Sequence, residues 1–101
     1  MKLSDHLIVS DPQKENLWKQ ILERRLKKPE LYVVSIPTDR SYPAEILSSK
    51  QYYIAEERHR VIGIADSFQA ALGLFQSAVE TAMETDPQVR HLRADLRERY
   101  L

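Results

Sequence analysis

Three aspartates, an arginine and a serine follow apolar runs in this sequence, and these residues could form a ligand site. Asp11 comes after a short run, Asp39 and Arg40 after a longer one, and Asp66 and Ser67 after a third. Carboxylate oxygens suit Mg²⁺, and a guanidinium pairs well with phosphate. If the runs are parallel strands, their carboxyl ends lie at one rim of a sheet, where open α/β sheets bind ligands. One hypothesis is therefore a phosphate or Mg²⁺ site at this rim.

The same residues also have a structural interpretation. Asp11 precedes Pro12, and Asp66 precedes an amphipathic run with Gln69 at the spacing of a capping box. A carboxylate at such a position accepts hydrogen bonds from the free N–H groups of a helix start. Asp39 lies in a turn, where aspartate is common for local reasons. Since every helix start needs such acceptors, we prefer capping to a ligand site.

Several catalytic classes lack their residues in this chain. It has no cysteine, and its two glycines, Gly63 and Gly73, cannot form a Walker loop or a dinucleotide fingerprint. The segment around Ser67 lacks the flanking glycines of a nucleophile elbow. The three histidines are not at metal-ligand spacing, and His59 lies in a charged run that predicts a solvated loop. We therefore expect no metal and no cofactor, and we favour a non-enzymatic protein over an enzyme without excluding the latter.

Hydrophobic periodicity predicts the elements that position these residues. Short apolar runs predict three strands, at residues 7–9, 31–36 and 61–65. A period near 3.6 predicts helices at residues 12–28, 43–57 and 68–84, and a last helix after Pro87. The order β-α-β-α-β-α-α predicts one α/β domain over residues 1–101, with a small three-stranded, mostly parallel sheet and covering helices. The alternative is an α+β fold with a hairpin at residues 51–65.

The predicted helix at residues 68–84 has an unusual surface. Its only charged residues are Glu80 and Glu84, and no Lys or Arg occurs between residues 61 and 89. Gly73, Ser77 and Thr81 recur every four residues, and a glycine inside a helix usually permits the close approach of another element. The row of Gly73, Ser77 and Thr81 therefore predicts that another helix packs closely on the helix at residues 68–84.

Two partners for this row are possible on the sequence alone. One is the last helix of the same chain, whose apolar residues are Leu92, Leu96 and Tyr100 together with a valine. The other is the same helix of a second copy, since two-fold dimers present one patch to itself. We predict a homo-oligomer, most simply a dimer, that assembles through these two helices.

Charge and targeting signals narrow the partners further. Lys and Arg total 15 and Asp and Glu total 15, so the formal net charge is zero, which disfavours nucleic acid and anionic membranes. The first residues do not form a signal peptide or a membrane span, so we expect a cytoplasmic protein.

The predicted function is a small interaction or regulatory module that binds itself or another protein. A phosphate- or Mg²⁺-binding domain is the first alternative. A nucleic-acid-binding accessory protein, using basic residues 24–28 or the last helix, is the second.

Overall fold

A mixed sheet with helices on both faces forms the fold. The computed structural model describes residues 3–38, 44–84, 87–88 and 90–100. Within these ranges the strands are β1 (Leu3–Val9), β2 (Tyr32–Pro37), β3 (Glu45–Ser48) and β4 (His59–Ala65). The α-helices are α1 (Glu15–Glu23), α2 (Ser49–Ala55), α3 (Phe68–Met83) and α4 (Leu92–Tyr100). Short 3-10 turns at Pro12–Lys14 and Glu56–Arg58 precede α1 and β4.

The strand order corrects the predicted sheet. It is β1-β4-β2-β3, with β1 parallel to β4, and with β2 antiparallel to both β4 and β3. The α/β class is confirmed, whereas the three-stranded, mostly parallel sheet is wrong. The predicted run at residues 31–36 is apolar on both faces because helices cover both faces of β2: Val33 packs in one core, and Val34 and Ile36 pack in the other.

Strand β3 lies where a helix is predicted. Ile46 and Leu47 are adjacent apolar residues that fit a helical pattern with later residues, but they belong to β3 and pair with Val34 and Val33. Ser48 then starts α2 with a capping box: its Oγ accepts from Gln51 N at 3.2 Å, and its own N–H donates to Gln51 Oε1 at 2.9 Å. The helix prediction for residues 43–57 is therefore half correct. The alternative hairpin at residues 51–65 is wrong, because residues 51–55 are helical.

Helix α1 is shorter than its apolar pattern predicts. It ends at Glu23, and Arg25 takes a left-handed conformation with φ of 55°. Leu26 N then donates to Ile21 O at 3.0 Å, and Arg25 N donates to Leu22 O at 3.2 Å. These two bonds form the reversal that commonly closes helices, with arginine at the position where glycine is usual.

Each face of the sheet carries its own core. Helices α1 and α2 cover one face, whose buried residues are Trp18, Ile21, Leu22, Leu31, Val33, Tyr52, Val61 and Ile64. Helices α3 and α4 cover the other face, whose buried residues are Val34, Ile36, Ile62, Ala65, Ala71, Ala78 and Leu96. Full burial of a large apolar side chain contributes about 1.5–3 kcal/mol, so both cores hold the sheet. No helix in the described part of the chain is long and apolar enough to span a bilayer.

Candidate functional site

The residues predicted for the strand rim mainly cap helices. Asp11 Oδ1 accepts from Gln13 N at 3.2 Å, at the start of the 3-10 turn that precedes α1. Ser67 caps α3, because its Oγ accepts from Ala70 N at 3.1 Å. The capping interpretation is correct for Asp11, while at α3 the cap is Ser67 and not Asp66, which is exposed beside it. The side chains of Asp11 and Ser67 therefore accept hydrogen bonds from local backbone N–H groups.

The topology separates the ends of the three predicted strands. Parallel β1 and β4 end side by side, and Ser10 N donates to Ile64 O at 3.1 Å. Strand β2 runs the other way, so Thr38 at its end donates its N–H to Arg58 O, just before β4 begins. Asp39 and Arg40, which follow Thr38, lie outside the described residues. The parallel-strand argument for a common rim thus no longer applies to them. Among the residues that the structure describes, no group of three or more His, Cys, Asp or Glu side chains could hold a metal ion.

A buried polar network joins three neighbouring strands. His59, the first residue of β4, has its Nδ1 at 3.1 Å from Ser35 Oγ of β2 and its Nε2 at 3.1 Å from Glu45 Oε1 of β3. A carboxylate only accepts, so Nε2 carries a proton and donates to Glu45, and in the neutral ring Nδ1 accepts from the Ser35 hydroxyl. The prediction that His59 lies in a solvated loop is wrong, because its side chain is buried.

This network contains the residue types of a hydrolytic triad but not the access that one requires. A nucleophile must reach its substrate, whereas Ser35 has no exposed surface. The three side chains instead satisfy one another in the sheet, as buried polar groups must. The sequence contained one signal of this: Ser35 is a polar residue within an otherwise apolar run, and a buried hydroxyl needs a partner.

A cavity of about 410 Å³ lies beside the end of α1. It is lined by Arg25, Tyr53, Ile54, Ala55, Glu56, Glu57 and Arg58. The Arg25 guanidinium pairs with Glu56 at 2.5 Å across it. The Tyr53 hydroxyl donates to Ile21 O at 3.2 Å and Leu26 O at 2.7 Å, and burial raises the pKa of Tyr53 above its ordinary value of 10.0. Two arginines and two glutamates leave this cavity without a net charge, so it does not favour an ionic ligand.

The predicted helix row faces solvent. Gly73 and Ser77 are exposed, and the Thr81 hydroxyl donates back to Ser77 O at 3.0 Å. A methyl group placed at Gly73 would meet no atom within 4 Å beyond the adjoining turns of its own helix. Helix α4 therefore does not cover Gly73. The alternative in which the last helix of the same chain packs on this row requires that it does.

Helix α4 belongs to the core of the chain. Leu96 is fully buried in the cluster that contains Ala71 and Ala78, and Leu92 and Tyr100 are half-buried against the same cluster. Arg93 also reaches across to Pro37 O at 3.4 Å. The three residues predicted for an interface on this helix thus pack inside one chain.

A different flank of α3 carries apolar side chains that are exposed at both ends of the helix and half-buried between them. These residues, which we call the α3 stripe, recur at helical spacing: Phe68, Leu72, Phe75, Val79 and Met83. Phe68 is 52% exposed and Met83 is 42% exposed. The Phe68 ring meets Tyr32 edge to face, with centroids 6.2 Å apart. This contact holds one end of the stripe against β2.

An apolar groove of about 260 Å³ runs between the α3 stripe and β3. Its lining is Ala44, Glu45 and Ile46 on the strand side and Phe68, Leu72 and Phe75 on the helix side. Glu45 is the one charged residue of that lining, and its carboxylate already accepts from His59. The sequence predicts a contact surface on the row of Gly73, Ser77 and Thr81, whereas the exposed large apolar side chains of α3 lie on another flank of the helix.

No protein-family model matches this chain, and neither a curated protein nor a solved structure matches it. Its function must be argued from these surfaces.

Proposed function

We propose that this protein is a non-enzymatic interaction module that self-associates through the α3 stripe. The observation that carries the proposal is the row of large apolar side chains on α3, continuous with the apolar groove beside β3. Isolated exposed apolar residues are ordinary, whereas a contiguous apolar patch usually marks an interaction site.

The charges around the stripe support burial against a protein. Glu80 is the only charged residue of α3, and interface centres are depleted of charge because burying an ion is costly. Phenylalanine and methionine, the residues at the exposed ends of the stripe, are both enriched in such centres. A second copy of the chain offers an equally uncharged surface, and closed two-fold pairing is the commonest form of self-association.

The phosphate- or Mg²⁺-binding alternative has less support. It depends on a rim that gathers the ends of three parallel strands, and β2 is antiparallel to its neighbours. Asp11 and Ser67 also already accept backbone hydrogen bonds.

A charge introduced into the stripe tests the proposal. In sedimentation velocity or light scattering over a range of concentrations, we expect the wild-type chain to dimerise and Phe68→Lys to weaken the dimer at least about tenfold, since a lysine would be buried without a partner. Ile54→Lys is the matched control, because Ile54 is also a large apolar residue on a helix, is 89% exposed, and lies on α2 at the other face of the sheet. Ser77→Lys is the second control, and it tests the row of Gly73, Ser77 and Thr81 on α3.

The outcomes separate the surfaces. Dimerisation that is lost in Phe68→Lys and retained in both controls supports the α3 stripe. Loss of dimerisation in Ser77→Lys alone would indicate that the interface is the row of Gly73, Ser77 and Thr81. A wild-type chain that stays monomeric at every concentration would refute self-association.

A further inference from the structure

We infer that two copies of the chain pair their β3 strands antiparallel, so that two four-stranded sheets become one continuous sheet across a two-fold axis. The inference rests on the proposed self-association and specifies its geometry. It follows from the edge of the sheet that borders the apolar groove.

Strand β3 is an open and regular edge. Within the described residues it pairs with β2 alone, in four consecutive register pairs without a shift. The Ser48 N–H already donates to Gln51 Oε1, so the backbone groups of β3 that another strand can bind lie before Ser48. Natural edges are commonly blocked by lysine, proline or a bulge, and the β3 residues Glu-Ile-Leu-Ser contain none of these. Within the described residues, the short length of β3 and the charged Glu45, whose carboxylate already accepts from His59, are the features that protect this edge.

The opposite edge of the sheet is less suited to pairing. Strand β1 pairs with β4 at Leu3 and again at Ile8, and the register shifts between these positions. Such irregularities twist an edge away from a regular partner strand. Ser4 Oγ also donates to the Tyr100 carbonyl at the end of α4, so a helix end lies against this strand. The two edges are therefore not equivalent, and β3 is the available one.

The size of a stable interface explains why strand and helix would act together. A standard interface buries roughly 800 Å² on each partner, about one eighth of the 6227 Å² that this chain exposes. Four strand residues cannot supply that area. Antiparallel β3 pairing places the groove and the α3 stripe of each copy beside those of the other, and the combined surface can reach it.

A second copy fits this surface because the surface is self-complementary. The groove side of β3 carries Ile46, and the helix side carries Phe68 and Leu72, so apolar groups meet apolar groups. A two-fold axis perpendicular to the sheet lies midway between the two copies of one β3 residue, which then face each other. With the two copies of Ile46 facing each other, Glu45 lies opposite Leu47 of the second copy. With the two copies of Glu45 facing each other, two carboxylates would be opposed. The register centred on Ile46 is favoured for this reason.

Single cysteines can detect that register, because the chain has none of its own. Directly opposed residues in antiparallel strands have Cα atoms about 4.5–5.5 Å apart, within the roughly 4.4–6.8 Å that a disulfide spans. We expect Ile46→Cys to form a disulfide-linked dimer under mild oxidation by oxidised glutathione, at least about fivefold faster than Ile54→Cys, although the control thiol is far more exposed. Leu47→Cys reports a register shifted by one residue.

Hydrogen exchange gives a measurement that does not depend on a variant. If β3 strands pair, the amides of residues 45–47 that face away from β2 become protected as the wild-type concentration rises. Amides of β1 at the other edge serve as the internal reference.

The two inferences fail in different ways. If the wild-type chain dimerises and Phe68→Lys dissociates it, but neither Ile46→Cys nor Leu47→Cys cross-links faster than Ile54→Cys and β3 protection is independent of concentration, strand pairing is refuted and self-association stands. Monomeric wild-type protein refutes both. Protection of β3 that appears only on addition of another protein would replace the second copy by that partner.

Discussion

The two flanks of α3 differ in what the rest of the chain places beside them. On the flank toward the core, Ala71, Ala78 and Ala82 are buried, and Leu96 of α4 packs into the same cluster as the first two. On the flank that carries the α3 stripe, Phe68 and Met83 remain about half exposed. The small side chains allow close packing, whereas the large ones project beyond a sheet that ends at a four-residue strand. The same apolar pattern therefore forms core where the chain supplies a cover and surface where it does not.

The largest effect should come from the covered flank. Leu96→Ala removes a fully buried side chain between α4 and α3, and we expect a loss of about 2–5 kcal/mol in the free energy of unfolding. Urea denaturation monitored by circular dichroism measures it. An effect below about 1 kcal/mol, or one that appears only at concentrations where the protein associates, would instead favour the sequence prediction that Leu96 is an interface residue.

An intermediate effect should come from the network that joins β3 to the inner strands. Ser35→Ala leaves His59 Nδ1 without its partner in a buried position, and we expect a loss of about 1–3 kcal/mol. Thr38→Ala is the control, because the Thr38 hydroxyl donates to Arg58 O at an exposed position and should matter by less than about 0.5 kcal/mol. Equal losses in the two variants would show that burial of the network contributes nothing.

The smallest effect should come from the exposed row on α3. Gly73→Ala adds a methyl group where no neighbour lies within 4 Å, and we expect the helix to gain about 0.5–1 kcal/mol of stability. Thermal unfolding measures the gain, and sedimentation should show unchanged association. Weaker association in this variant would indicate that a helix packs closely on Gly73.

The strands that carry uninterrupted apolar runs could be predicted from the sequence, but their directions could not. The predicted runs at residues 7–9, 31–36 and 61–65 lie within or overlap β1, β2 and β4, and α3 begins at Phe68 as predicted. Burial on both faces indicates a strand that other elements cover on both sides of the sheet, and it says nothing about which way the strand runs. Strand β3 was missed because it contains only two apolar residues, and these also fit the helix that follows.

The candidate sites show a similar limit. The cap at Asp11 is local and could be predicted, because the donor lies two residues along the chain. The contacts among Ser35, Glu45 and His59 could not, because they require the pairing of three strands, one of which was not predicted. For Leu96, an amphipathic pattern shows that the side chain will be buried. It does not show whether the same chain or a second copy buries it.

The contact between Ser4 and the carbonyl of Tyr100 has a practical consequence for handling the protein. It brings the first strand and the last helix together at the β1 edge, and the order β1-β4-β2-β3 places that edge farthest from β3. Fluorophores attached close to Ser4 or Tyr100 would therefore sit at the edge of the sheet opposite the proposed β3 contact.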